Sequence, residues 1–337
     1  MFYPKVQYWV KGDIMQTITE LWRFTTKNEI RSSPVVANGI VYIGSYDQST
    51  YAIDTVTGKE KWRFEAAGMG ISSPAVWNGI LYILMNYLFA IDAATGKEKW
   101  RFKIAGLSSP VVANGVLYVG DYKNLYALDA VMGYEIWRSD IRVSSSSPAV
   151  SNGVVYIGSM DKNLYAIDAV TGKEKWQFEI SVSSSSPGSS SSPAVSNGVV
   201  YVGGSDKNLY AVDAVTGKEK WRFKIDGELN SSPAVADGVV YIGSMDKNLY
   251  AIDTVTGKEK WRFKTGDYVY SSPVVADNVV YVGSADTNLY AIDAVTGKEK
   301  WRFKTGRTVL STPAISNGII YIGSKDNNLY ALVVTSQ

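Results

Sequence analysis

The chain has 337 residues, with 34 basic and 32 acidic side chains and neither cysteine nor histidine. Near-cancelling charge excludes a global drive toward nucleic acid or an anionic membrane. The missing cysteine and histidine exclude disulfides, thiol catalysis, histidine-based hydrolase triads and the usual zinc sites, leaving carboxylate, Lys and Tyr chemistry.

Residues 1–16, MFYPKVQYWVKGDIMQ, read as an N-terminal extension ahead of a single domain over 17–337. The extension lacks the apolar core of a signal peptide. Either the protein is not exported by that route or the chain begins after such a signal. No run approaches the roughly 18 apolar residues of a membrane span.

From residue 19 onward a unit of roughly 40 residues repeats, the mark of one supersecondary element copied many times. Trp22, Trp62, Trp100, Trp137, Trp176, Trp221, Trp261 and Trp301 keep step with Pro34, Pro74, Pro110, Pro148, Pro193, Pro233, Pro273 and Pro313. The stretch SSPAVADGVVYIGSMDKNLYAIDTVTGKEKWRFK, beginning at Ser231, holds four short runs separated by turn residues, which predicts four strands. Asp237-Gly238, and elsewhere Asn38-Gly39, Asn152-Gly153 and Asn197-Gly198, accept the positive φ of a tight hairpin. The first strand is small and carries a Pro, which suits an innermost sheet edge. The second, Val239-Val240-Tyr241-Ile242, is apolar throughout, so both its faces must be covered. The fourth alternates charge with Trp and Phe, as an outer edge should.

Three places depart from the repeat. In the second copy Ile83 to Phe89 loses the Gly-Ser-x-Asp pattern, and Met69, Met85, Tyr87 and Trp77 gather nearby, either as a contact surface or, the favoured reading, as repacking around a deletion. The third copy has Met132 for Thr and Tyr134 for Lys. Residues 181–192 are a Ser-rich insert, read as a linker or a slipped duplication. The last copy stops without a fourth strand, and Thr19-Glu20-Leu21-Trp22-Arg23-Phe24 supplies one. The expectation is an all-β, eight-bladed propeller of four-stranded antiparallel blades, closed by an N-terminal strand that completes the last blade, with Trp22 buried there.

The run Ala-Ile-Asp-x-Val-Thr-Gly-Lys-Glu-Lys-Trp, as at Ala166 to Trp176, resembles the tryptophan-docking motif of the pyrroloquinoline-quinone-like β-propellers. The resemblance implies eight blades, each Trp docked on a neighbour. It also implies one of two functions. One branch of that family consists of quinone- and calcium-dependent dehydrogenases; another, similar to the outer-membrane assembly lipoprotein, is non-enzymatic and binds proteins. The enzyme branch needs an adjacent cysteine pair, and the lipoprotein branch a lipid-bearing cysteine; this chain has neither. The resemblance therefore points to the non-enzymatic branch, without cofactor or metal, and to an extracytoplasmic location.

Comparing copies within the chain singles out one face. The Asn-Gly hairpins and Thr-Gly-Lys turns are nearly invariant, whereas the connections from fourth strand to next first strand vary. Variable loops on a rigid scaffold carry specificity. Arg31, Tyr46, Tyr122, Arg142, Glu228, Tyr268, Tyr270 and Arg307 are the expected contacts with a partner, which is expected to be a protein. Asp47, Asp161, Asp206, Asp246, Asp286 and Asp326 form a carboxylate ring; turn capping is favoured over cation binding. The reading is a monomeric binding scaffold. The alternatives are a quinone dehydrogenase and a recently amplified or engineered repeat with no evolved ligand.

Overall fold

The computed structural model describes residues 6–11, 14–66, 72–104, 106, 108–143, 145–180 and 191–336. Their strands form eight antiparallel sheets. In the blade order used below, blade one comprises Val35–Ala37, Ile40–Ser45, Ser49–Asp54 and Glu60–Glu65. Blades two to seven repeat this meander, and the eighth sheet joins the two ends of the chain. The molecule is an eight-bladed β-propeller. Among the described residues no helix is long and apolar enough to cross a membrane.

Local sequence dictates each turn. Asn38 and Gly39 stand at φ 50° and 72°, the left-handed pair that a two-residue hairpin of the favoured twist requires. The second strands are buried along almost their whole length and the third strands along most of theirs, blade four's Asn163–Asp168 least, because blades cover both faces. Apolar clusters accordingly lie between blades. Val199, Tyr201 and Leu209 of blade five pack with Val240, Ile242 and Ile252 of blade six.

The inner strands are tied around the axis by hydroxyls. Ser33 N–H donates to Ser73 Oγ at 2.9 Å, Ser73 N–H to Ser109 Oγ at 3.0 Å, and Ser109 N–H to Ser147 Oγ at 3.0 Å. The series continues through Ser192, Ser232 and Ser272; Thr312 N–H donates to Ser33 Oγ at 2.9 Å, and between blades seven and eight Ser271 Oγ donates to Ser311 O at 2.9 Å. Each backbone-to-hydroxyl link satisfies an N–H of an inner edge that has no further strand beside it.

The last blade confirms closure by the N-terminal segment and extends it. Ile14–Thr25 pairs antiparallel with Asn328–Ser336, Trp22 opposite Ala331 and Gln16 opposite Ser336. A fifth strand, Val6–Lys11, pairs outside residues 14–19. Sequence reading assigned no strand to residues 1–16, yet part of that extension belongs to the sheet.

Candidate functional site: the variable-loop face

The site rests on a scaffold of docked tryptophans. Trp221 Nε1 donates to Thr254 O of blade six at 2.9 Å, and its ring stands 5.8 Å from Tyr201. Trp62, Trp137, Trp176 and Trp261 repeat the bond on the Ala carbonyls of their next blades, at 3.0 to 3.1 Å. Trp100 uses Val131 O instead, and Trp22 uses Thr55 O. Gly257 explains the glycine of each turn: its φ is +66°, and a Cβ there would stand 2.7 Å from the Trp221 ring. Trp22 is half-buried, not buried as expected, since an outer strand leaves one edge of the indole in water. Trp301 is the fully covered one, 1% exposed, because Ile18 and the N-terminal hairpin close over it.

Sequence reasoning missed the tyrosine partners. Tyr42 Oη and Tyr82 Oη donate to Ala93 O and Ala130 O of the next blades, at 2.9 and 2.8 Å. Burial pushes the Tyr42 phenol up to about 12. The consecutive repeat of Tyr and Trp at fixed spacing was the available signal.

Five of the variable connections are anchored by one apolar residue each. Ile30, Val143, Leu229, Val269 and Val309 are buried. Each sits where a second-strand glycine leaves room; a Cβ on Gly243 would meet Val269 at 2.4 Å, and one on Gly323 would meet Ile30 at 2.3 Å. The loops are then clamped by backbone bonds to the turn between second and third strands: Tyr46 N–H to Glu29 O at 3.0 Å, Met160 to Arg142 O at 2.8 Å, Met245 to Glu228 O at 3.0 Å, and Ala285 to Tyr268 O at 2.8 Å. Variable side chains therefore project from a fixed backbone.

The carboxylate ring caps turns. Asp246 Oδ1 accepts from Asn248 N–H at 3.0 Å, and its Oδ2 accepts from Tyr250 Oη at 2.6 Å. Asp47 and Asp326 do the same with Tyr51 and Tyr330, each at 2.7 Å. Asp121, which the sequence pattern had not included, plays this part in blade three, accepting from the N–H groups of Lys123 and Asn124. Among the described residues no group of three acidic side chains could hold a metal ion. The residues present thus do not fit a quinone–calcium centre: no cysteine pair exists, and the ring carboxylates are spent on their own turns.

Of the eight expected contacts, the structure brings three together. Glu29 lies between Arg31 at 2.7 Å and Arg307 at 3.2 Å, and Lys325 joins them at 3.5 Å. The Arg31 guanidinium also stacks over Tyr46, 4.6 Å from the ring centroid. The Arg31 and Lys325 charges hold Glu29 below its usual range, against the opposing effect of burial. These three cations around one carboxylate form a net positive cluster where blades eight and one meet, flanked by the turn-capping Asp47 and Asp326. Glu29 and Lys325 were not singled out from sequence; the partners lie at opposite ends of the chain.

Tyr268 and Tyr270 form a second group, their rings 5.9 Å apart and edge-on, with Lys247 over Tyr268. Glu228 is exposed and its charge acts on Tyr270 of this second group, whereas Tyr122 and Arg142 are exposed elsewhere on the face. In blade two Met85 is buried and Tyr87 packs on Phe89, so that irregularity is repacking there; Met69 lies outside the described residues. Residues 181–190 of the Ser-rich insert lie outside them too, while Ser192 belongs to the axial ring.

The family described as Outer membrane protein assembly factor BamB matches residues 16–103, 84–186, 179–270 and 267–336. Among solved structures, BamB from Moraxella catarrhalis superposes with a TM-score of 0.81 at 18% identity, covering 94% of this chain and 99% of that one. The computationally designed Ika8 protein gives 0.79 at 17% identity, covering 93% and 98%. The quinohemoprotein alcohol dehydrogenase of Comamonas testosteroni gives 0.78 at 17% identity, covering 94% of this chain and 76% of that one. At these identities the likeness establishes the fold. No curated protein matches the chain.

Proposed function

The chain belongs to the family of the outer membrane protein assembly factor BamB, and from that premise we propose that it is a non-enzymatic scaffold that binds a protein on its variable-loop face. The observation that carries the reading is the Glu29–Arg31–Arg307–Lys325 sector, a net positive cluster beside exposed Tyr46 on a rigid loop framework. Guanidinium and aromatic groups side by side are the makings of a contact hot spot. An acidic protein segment suits it, its carboxylates taken up by Arg31 and Arg307. The extracytoplasmic location is likewise a proposal, taken from the family's description.

Hexaglutamate at low ionic strength is the probe for the face. Binding should slow amide exchange in the connections at residues 26–31 and 305–308, and Arg31→Ala with Arg307→Ala should abolish that protection. Protection confined to the Asn-Gly and Thr-Gly-Lys face would overturn the placement. The enzymatic alternative is addressed separately. Incubation with pyrroloquinoline quinone and calcium should give no quinone absorbance on the purified protein and no dye reduction with alcohols or sugars; quinone-dependent reduction would sink the non-enzymatic reading.

A further inference from the structure

The outer strands carry a charge pattern that one blade breaks. In blade six the outward row reads Lys258, Lys260, Arg262, Lys264, and every other complete blade except the third opens its row with two lysines. Such rows repel one another, a common protection of exposed sheet edges. Blade three reads Tyr134, Ile136, Arg138, Asp140, one cation and one anion with two apolar side chains. All of this apolar surface is in water: Met132 is 69% exposed, Tyr134 59%, Val131 48% and Ile136 44%. Three polar residues of the repeat, Thr, Lys and Lys, have thus become Met132, Tyr134 and Ile136 at positions where folding does not require it.

The same changes strip a carboxylate of its partners. In blade one Asp54 accepts from Thr57 Oγ1 at 2.9 Å and pairs with Lys61 at 3.4 Å. Lys99, Lys175 and Lys220 repeat the ion pair in their blades. In blade three the threonine and the lysine are gone, and Asp129 retains the N–H groups of Val131 and Met132 on its Oδ1. Arg138, 60% exposed, is held by Glu135 at 3.4 Å, longer than the 2.7 Å of the matching pair in blade six.

We propose that the outer row of blade three is an interface with a second copy of this chain, related by a two-fold axis near Ile136. The patch is self-complementary. A two-fold contact is isologous, so each group meets its counterpart's surroundings. With Ile136 against Ile136 of the partner copy, the guanidinium of Arg138 reaches the other copy's Tyr134 face and the Asp129 carboxylate. A Lys at position 136, as in the other complete blades, would place two ammonium groups together on the axis. The outer strand is bulged at Ile136, where Leu128 pairs with Glu135 and Ala127 with Trp137. A bulge interrupts a regular ladder, so the contact runs through side chains and not through a continuous sheet. The association should be reversible and should depend on protein concentration. This departs from the expectation of a monomer and is independent of the variable-face reading.

Sedimentation equilibrium of the intact chain over a range of concentrations tests it. The wild-type protein should show a reversible dimer. Ile136→Lys should weaken it by about tenfold or more, since like charges would meet at the centre. The triple change Met132→Thr, Tyr134→Lys, Ile136→Lys only restores the repeat, so it should melt like wild type while remaining monomeric. Because the chain has no cysteine, Ile136→Cys offers a second readout: mild oxidation should cross-link it rapidly, whereas Lys220→Cys in blade five should not. A wild-type chain monomeric throughout, or a dimer unchanged in Ile136→Lys, would overturn the proposal.

Discussion

The junction between blades five and six and the junction between blades seven and eight bury the same kind of tryptophan in different ways. Trp221 docks on the Thr254 carbonyl and the Gly257 turn, and stays half-buried. Trp301 faces a strand, Asn328–Ser336, that runs straight on where the other blades turn. Its cover comes from the N-terminal hairpin, with Ile18 in the same apolar cluster, and it is 1% exposed. An internal junction is therefore made of local repeat sequence, whereas the closing junction depends on segments from both ends of the chain. The comparison teaches that the repeat stabilises neighbours pairwise, and that ring closure is a separate, non-local event.

The largest way to break this distinction is to remove residues 1–25. That deletion takes away the outer strands of blade eight and the cover of Trp301 together. Loss of cooperative melting, with red-shifted tryptophan emission, is the expected outcome; a truncated chain that melts like the intact one would contradict it. Next come single indoles. Trp221→Ala and Trp301→Ala should each cost about 3–5 kcal/mol in denaturant melts, with Trp301 at the upper end because it is the more completely enclosed. Equal and small losses, below about 1 kcal/mol, would mean that neither acts as a staple. Gly257→Ala sharpens the local half of the comparison. The new methyl would meet the Trp221 ring at 2.7 Å on a backbone of φ +66°, so a loss of about 1–3 kcal/mol is expected.

Titration probes both kinds of junction at once. Backbone and side-chain bonds from Thr57 hold the Asp54 carboxyl near 2, so its contribution is present above about pH 4 and fades as pH falls toward 2. Burial pushes Tyr51, Tyr241 and Tyr290 up to about 12. Their unfolded forms ionise near 10, so stability should drop as pH rises from about 10 to 12. A melting temperature flat across that alkaline window would count against the buried phenols. The smallest effect belongs to the variable face: Arg307→Ala, an exposed pair, should change stability by no more than about 0.5 kcal/mol.

Much of this architecture is legible in the sequence because it is local. Trp221, Gly257 and the Asn38-Gly39 hairpin follow from spacing and backbone preference alone. What escaped reading is the pairing of distant residues. Nothing near Val6 signals that residues 6–11 will lie outside the strand beginning at Ile14, since the hairpin gains its cover from blade seven. Nothing beside Gly323 in the sequence signals that Ile30, almost the whole chain away, occupies the space next to it. The same distance hid Lys325 from the Glu29 cluster, although Arg31 and Arg307 stand out in the sequence for their charge and their place in variable connections. Blade three was visible as a departure from the repeat, but only the exposures of Tyr134 and Ile136 distinguish a surface from a repacked core.

The axial ring of hydroxyls has a consequence for how the molecule bears load. Each link from an inner-strand N–H to the next blade's hydroxyl joins only nearest neighbours. The links thus form a belt of similar hinges around the axis, able to pass strain from one blade to the next without concentrating it. A partner pressing on the loops of a single sector would be felt as a small tilt shared along that belt, not as a rupture at any one buckle.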